Sequence, residues 1–181
     1  MQKEPDYKAL ENSLIDIIKE EQIKLGYKSE TIRLYYPMDS IQHLLGITGT
    51  AEELKEVLNQ FCRQVIGTLG GVTYTNRDNR FCMIIPPEGV TYVHEKVAEN
   101  HFLKDFIQKI GEHACALEDI LEVFHRYSDH VLCEPMTNGE FDYKIMFEDG
   151  KPDHYRYCIK FEGCHAIYHR FTKADYEEFG F

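Results

Sequence analysis

The chain has no tryptophan, no Cys-x-x-Cys pair and no apolar run near the ~20 residues that a membrane-crossing helix needs. Met1 to Asp6 are followed by no apolar segment of the secretory type, so a cytoplasmic, reducing setting and no membrane partner are expected. In that setting the six scattered cysteines (Cys62, Cys82, Cys115, Cys133, Cys158 and Cys164) read as buried thiols and not as a disulfide framework. Gly-x-Ser-x-Gly, the Walker loop and the dinucleotide glycine pattern are all missing, which removes the common signatures of acyl transfer and of nucleotide enzymes. Gly70-Gly71 is better placed as a helix stop before a strand than as a phosphate cradle.

Basic charge is also scarce. Twenty Lys and Arg stand against 31 Asp and Glu, a net charge of −11. Residues 1–87 carry 10 basic and 12 acidic side chains, a net −2, and residues 88–181 carry 10 and 19, a net −9. A surface of that sign repels phosphate backbones and anionic membranes at long range, although it leaves room for a local basic patch in the first half.

Core-forming material is plentiful. Apolar residues make up 43% and aromatics 13% of 181 residues, enough for one large domain or two small ones. Leu10, Leu14, Ile17, Ile18 and Leu25 recur at helical spacing, so residues 7–25 read as an amphipathic helix stopped by Gly26. Thr31 to Tyr36 is a strand ended by Pro37. Asp39 or Ser40 caps a short helix at 41–45, and Gly46 ends it. Thr50 and Glu53 form a capping box for a helix expected to run through Leu54, Leu58, Phe61 and Val65 to Leu69. Strands at 72–75 and 81–85 flank the polar turn Asn76 to Asn79, making a hairpin closed by Pro86-Pro87. Helix, strand, short helix, long helix, hairpin is the element order of a winged helix.

Residues 90–98, 102–110 and 117–127 read as helices. After Val131-Leu132-Cys133 the period changes to two. Phe141, Tyr143, Ile145 and Phe147, then Tyr155, Tyr157, Ile159 and Phe161, alternate with polar residues, and Glu162-Gly163 turns into a last strand at 164–171. Thr172 to Phe179 is a short capped helix. The fold class is therefore α+β: an N-terminal winged-helix-like unit at 1–87, then a unit of helices and an antiparallel β-meander at 88–181, the two expected to pack together.

One stretch carries a resemblance. Lys19-Glu20-Glu21-Gln22-Ile23-Lys24-Leu25-Gly26-Tyr27, followed by Glu30-Thr31-Ile32-Arg33-Leu34-Tyr35-Tyr36-Pro37, resembles a clostridial family of bacterial proteins built around a domain of unknown function. The resemblance implies a bacterial cytoplasmic protein and brings no catalytic residue with it.

Four kinds of site are weighed against plainer readings. In a winged helix the residues at 50–69 would face DNA and the hairpin would be the wing. The nucleic-acid candidates are then Asn59, Gln60, Arg63, Arg77 and Arg80, but Glu52, Glu53 and Glu56 would oppose phosphate with only Lys55 to offset them. The plainer reading is a solvated helix face. For a metal, Cys164-His165, His169, Glu112-His113-x-Cys115 and His125 supply ligand types without ligand spacing. His165 and His169 would lie ~13 Å apart along a strand, so no metal and no cofactor are expected. A nucleophilic cysteine can be nominated only from side chains that meet in the fold. Lastly, Tyr155, Tyr157, Tyr168 and Arg170 share one sheet face, either as an interaction surface or packed beneath the helices of the second half. The leading expectation is a non-enzymatic interaction or regulatory protein with a protein partner. A winged-helix DNA-binding regulator comes second, and an enzyme or metalloprotein with a site assembled in the fold third.

Overall fold

The computed structural model describes residues 4–178. Helix α1 (Tyr7–Leu25) is capped by Asp6, whose carboxylate accepts from the Ala9 amide at 3.0 Å, and buries the stripe Leu10, Leu14 and Ile18. Strand β1 (Ile32–Pro37) alternates half-buried and exposed residues. Pro37 is its last residue, which an edge strand tolerates because that amide is not needed for pairing. Helix α2 (Met38–Leu45) follows at once and makes no side-chain cap at Asp39 or Ser40. Its N-cap position is Pro37, which places Asp39 inside the first turn, where a carboxylate suits the helix dipole.

Helix α3 (Ala51–Gln64) begins in the expected capping box. Thr50 Oγ1 accepts from the Glu53 amide at 3.3 Å, and Glu53 accepts from the Thr50 amide at 2.7 Å. The helix does not run on to Leu69. The helical ladder breaks at Val65, and α4 (Ile66–Leu69) is a separate turn. Val65, Ile66, Gly67 and Thr68 are all poor helix formers, which makes this the weak point of the segment. Strands β2 (Thr73–Arg77) and β3 (Arg80–Ile85) meet at the turn Asp78-Asn79. The sheet is antiparallel in the order β1-β3-β2.

Helix α5 (Pro87–Lys96) belongs to this first unit, so the chain divides after Glu99 and not at Pro86-Pro87. Val90 and Val93 enter the same core as Leu14, Leu58, Phe61 and Met83. Two α1 side chains fasten the helix. Lys19 Nζ donates to the Val93 and Val97 carbonyls at 3.1 and 3.0 Å, and Gln22 Nε2 donates to the Val90 carbonyl at 2.9 Å. A Pro-Pro dipeptide marks a change of direction, and here the chain turns straight back onto its own core.

The second unit, from Asn100 onward, begins with α6 (His101–Ile110), capped by Asn100, and α7 (Leu117–His125). Four antiparallel strands follow in sequential order: β4 (Val131–Pro135), β5 (Tyr143–Phe147), β6 (Arg156–Glu162) and β7 (His165–Phe171). One sheet face packs under α6 and α7 through edge-to-face rings. Phe102 meets Phe147 at 4.8 Å, and Phe106 meets Tyr157 and Tyr168, each at 4.8 Å. Phe141 was expected on this face as part of β5, but it precedes the strand. It packs instead on the other side with Cys158 and Phe171. Helix α8 (Lys173–Glu178), capped by Thr172, brings Tyr176 to that second cluster. The expected helix end at Phe179 lies outside the described residues.

Candidate functional site

Alternation along the three N-terminal strands sorts their side chains. Leu34, Tyr36, Tyr74, Phe81 and Met83 face the core. On the outer face the register builds three rows: Pro37, Arg80 and Arg77; then Tyr35, Cys82 and Thr75; then Arg33, Ile84 and Thr73. Arg33, Arg77 and Arg80 are exposed, and Tyr35 keeps 68% of its surface. A groove of about 570 Å³ opens here, lined by Tyr35, Thr75, Asn76, Arg77, Arg80 and Cys82 among others. Asp78 is the one carboxylate in its lining. No hydrogen bond or ion pair engages the three guanidinium groups among the described residues. In a chain of net charge −11, Arg33 at one end of this face and Arg77 and Arg80 at the other make it locally cationic.

The nucleic-acid candidates proposed from sequence do not gather in one place. Arg77 and Arg80 stand together on the outer sheet face. Asn59, Gln60 and Arg63 are exposed on α3, which covers the inner face: the Tyr74 hydroxyl donates to the Lys55 carbonyl and to Asn59 Oδ1, both at 3.0 Å. Gln60 is tied to α1 by the Tyr7 hydroxyl at 2.8 Å. The exposed side of α3 begins with Glu52, Glu53 and Glu56, and Lys55 is already paired with Glu52 at 2.7 Å. Arg33 and Tyr35 were missed as site residues. Their signal was the exposed phase of β1, but its value depends on pairing with β3.

The tyrosine face of the second unit is mostly interior. Tyr157, Tyr168 and Arg170 do share one side of the sheet, and Tyr155, which precedes β6, lies beneath the Arg170 guanidinium. However, Tyr157 has no exposure and Tyr168 packs on Phe106, so these two do not form an open surface. Tyr157 donates to Asp153 Oδ2 at 2.5 Å, and the Arg170 guanidinium sits 4.4 Å from the Tyr155 ring. Burial raises the Asp153 carboxyl above the usual carboxylate range, against the opposing pull of its hydrogen bonds from Tyr157 and the Tyr155 amide. Burial likewise pushes the Tyr157 phenol well up, with the Asp153 charge adding to it.

Other chemistry is weaker. Among the described residues no three His, Cys, Asp or Glu side chains converge as a metal site. His113 and His165 approach with ring centroids 6.2 Å apart, as a pair only. Burial raises the thiols of Cys62, Cys115 and Cys133, and pushes Cys158 up to about 11, away from the thiolate form that a nucleophile needs. No helix is long and apolar enough to cross a membrane among the described residues.

No curated protein and no solved structure matches the chain. A family described as "Domain of unknown function, E. rectale Gene description (DUF3877)" matches residues 7–180, which includes the stretch from Lys19 to Pro37 and spans both units. With nearly its whole length covered by that match, the chain belongs to the DUF3877 family, a domain of unknown function named for a clostridial gene.

Proposed function

We propose that this chain is a non-enzymatic interaction or regulatory protein of the cytoplasm that engages its partner through the outer face of its N-terminal sheet. The observation that supports the reading is the grouping of Arg33, Tyr35, Arg77 and Arg80 on that face with no internal partner for their charges. Arginine and tyrosine are the side chains that carry binding energy at interfaces, because each combines a large contact area with directed polar groups. Their position also turns the winged-helix-like unit around. The contact surface is the sheet, and the acidic start of α3 lies away from it.

DNA binding through α3 and the wing is the second reading, favoured by the β1-β3-β2 topology. Glu52, Glu53 and Glu56 oppose it, since each would sit against a phosphate and cost affinity. Site-specific photo-crosslinking separates the two. A benzoylphenylalanine replaces Tyr35 in one protein and Glu56 in another, and both are irradiated in living cells that express the full chain. Adducts from position 35 and none from position 56 are the expected result. The reverse pattern would move the function to α3.

A further inference from the structure

We infer that the outer sheet face binds single-stranded nucleic acid, with one base stacked on Tyr35 and the flanking phosphates held by Arg33 on one side and by Arg77 and Arg80 on the other. This deepens the reading above, and rests on it, by naming the chemistry of the partner.

The argument is geometric. Along β1, Arg33 and Pro37 each lie two residues from Tyr35 on the same face, a step of about 6.6 Å in each direction. Pro37 pairs with Arg80, and Arg80 with Arg77, so the far end of the face is as cationic as the Arg33 end. The pattern across the face is therefore cation, exposed ring, paired cations. A mononucleotide would use only one end of it. An extended strand uses both, because its phosphates recur along a flexible backbone on either side of a stacked base. The Tyr35 ring is 68% exposed and makes no ring contact or hydrogen bond among the described residues, so its face is available for stacking. Thr73 and Thr75 are exposed on the same face, Asn79 is exposed in the adjoining turn, and they supply neutral donors and acceptors for sugar and base edges.

Two competing partners fit less well. An acidic peptide would supply the charges but would want an apolar pocket for its anchors. The other apolar side chains on this face are poor anchors: Cys82 is only 7% exposed and Ile84 is half-buried. A duplex would extend well beyond the patch onto the surface of a chain whose net charge is −11. A short single strand neutralised by three arginines avoids that cost, and its binding falls with salt with a log–log slope of about −2.

Fluorescence anisotropy on the full chain provides the test. The probes are a labelled mixed-sequence single strand of about ten nucleotides, the same sequence as a duplex, and a labelled acidic peptide of similar length, across about 25 to 200 mM salt. The single strand should bind about tenfold or more tighter than the duplex, with the stated slope. Tyr35→Ala should weaken it by about tenfold and Tyr35→Phe should restore it, since stacking needs the ring and not the hydroxyl. Arg33→Gln and Arg77→Gln should each reduce the slope by about 0.7, and Arg63→Gln on α3 should change nothing. Circular dichroism establishes that each variant is folded. Absence of single-strand binding at low salt, binding that ignores Tyr35→Ala, or binding of the acidic peptide in its place would each overturn the inference. In those cases protein adducts from position 35 would still uphold the outer face as the contact surface, whereas adducts from position 56 alone would remove that reading too.

Discussion

Tyr157 hands its phenolic proton toward Asp153 across 2.5 Å from a position with no solvent exposure. The contact joins β6 to the connection that precedes it and sits beside Arg170 and Tyr155. Burial raises the Asp153 carboxyl, so the folded protein holds the carboxyl's own proton to higher pH than the unfolded chain does. Its contribution to stability is fully present below the unfolded value of about 4 and is lost as pH rises through the raised folded value. Asp153→Asn removes this dependence while keeping an acceptor for Tyr157. The stability of the native protein relative to Asp153→Asn should therefore fall as pH rises from about 3 toward neutrality, measured by denaturant unfolding at a series of pH values. Tyr157→Phe leaves the carboxylate short of a donor and should cost about 1–3 kcal/mol at neutral pH.

Helix α5 is tied to the first unit by close approach as well as by hydrogen bonds. A Cβ built on Gly89 would lie 2.2 Å from the Leu69 carbonyl oxygen and 2.9 Å from Ile85 Cγ2. Backbone cannot give way cheaply there, so Gly89→Ala should destabilise the first unit by about 1–3 kcal/mol despite alanine's better helix propensity. Amide hydrogen exchange should show α5 losing protection first. Unchanged protection would mean that α4 and α5 are not packed as described.

Lys19 supplies the other tie. Its ammonium donates to two carbonyls near the end of α5, and its burial there lowers its pKa. Lys19→Met keeps the apolar stem but leaves the Val93 and Val97 carbonyls without that donor. A loss of about 1–2 kcal/mol in thermal or chemical unfolding is expected, larger than for an exposed lysine.

Thr50→Ala tests the start of α3. It removes the acceptor for the Glu53 amide and should cost about 1 kcal/mol, whereas Thr50→Ser should be close to neutral. Unfolding midpoints of the two variants decide it, since equal losses would mean the cap contributes nothing.

The thiols should separate by reactivity. Cys164 is exposed in the β6–β7 turn, while Cys158 has no exposure and a pKa of about 11, which leaves about 10⁻³ of it as thiolate at pH 8. Titration of the native protein with a chromogenic disulfide should show one fast cysteine that Cys164→Ser removes. Cys158 should react only on unfolding.

Much of the secondary structure was legible in the sequence because its causes are local. The Leu10, Leu14 and Ile18 stripe, the Thr50–Glu53 box and the two-residue alternation of β5 and β6 each act within a few residues, and each appears where the pattern places it. The failures were local preferences overridden by contacts from elsewhere or by neighbouring geometry. Phe141 alternates in phase with β5 but packs against Cys158 and Phe171, and Pro86-Pro87 looks like a boundary but leads into α5 on the first core.

The candidate site divides in the same way. The sequence by itself determined that Arg77 and Arg80 flank a turn, that Tyr35 belongs to an alternating strand, and that α3 starts acidic. Only the tertiary structure decided that Arg33 and Tyr35 join Arg77 and Arg80 on one face while Asn59, Gln60 and Arg63 lie elsewhere. The reason is register. Pairing of β1 with β3 joins residues more than forty positions apart, and a slip of one residue would turn Tyr35 into the core and Tyr36 outward.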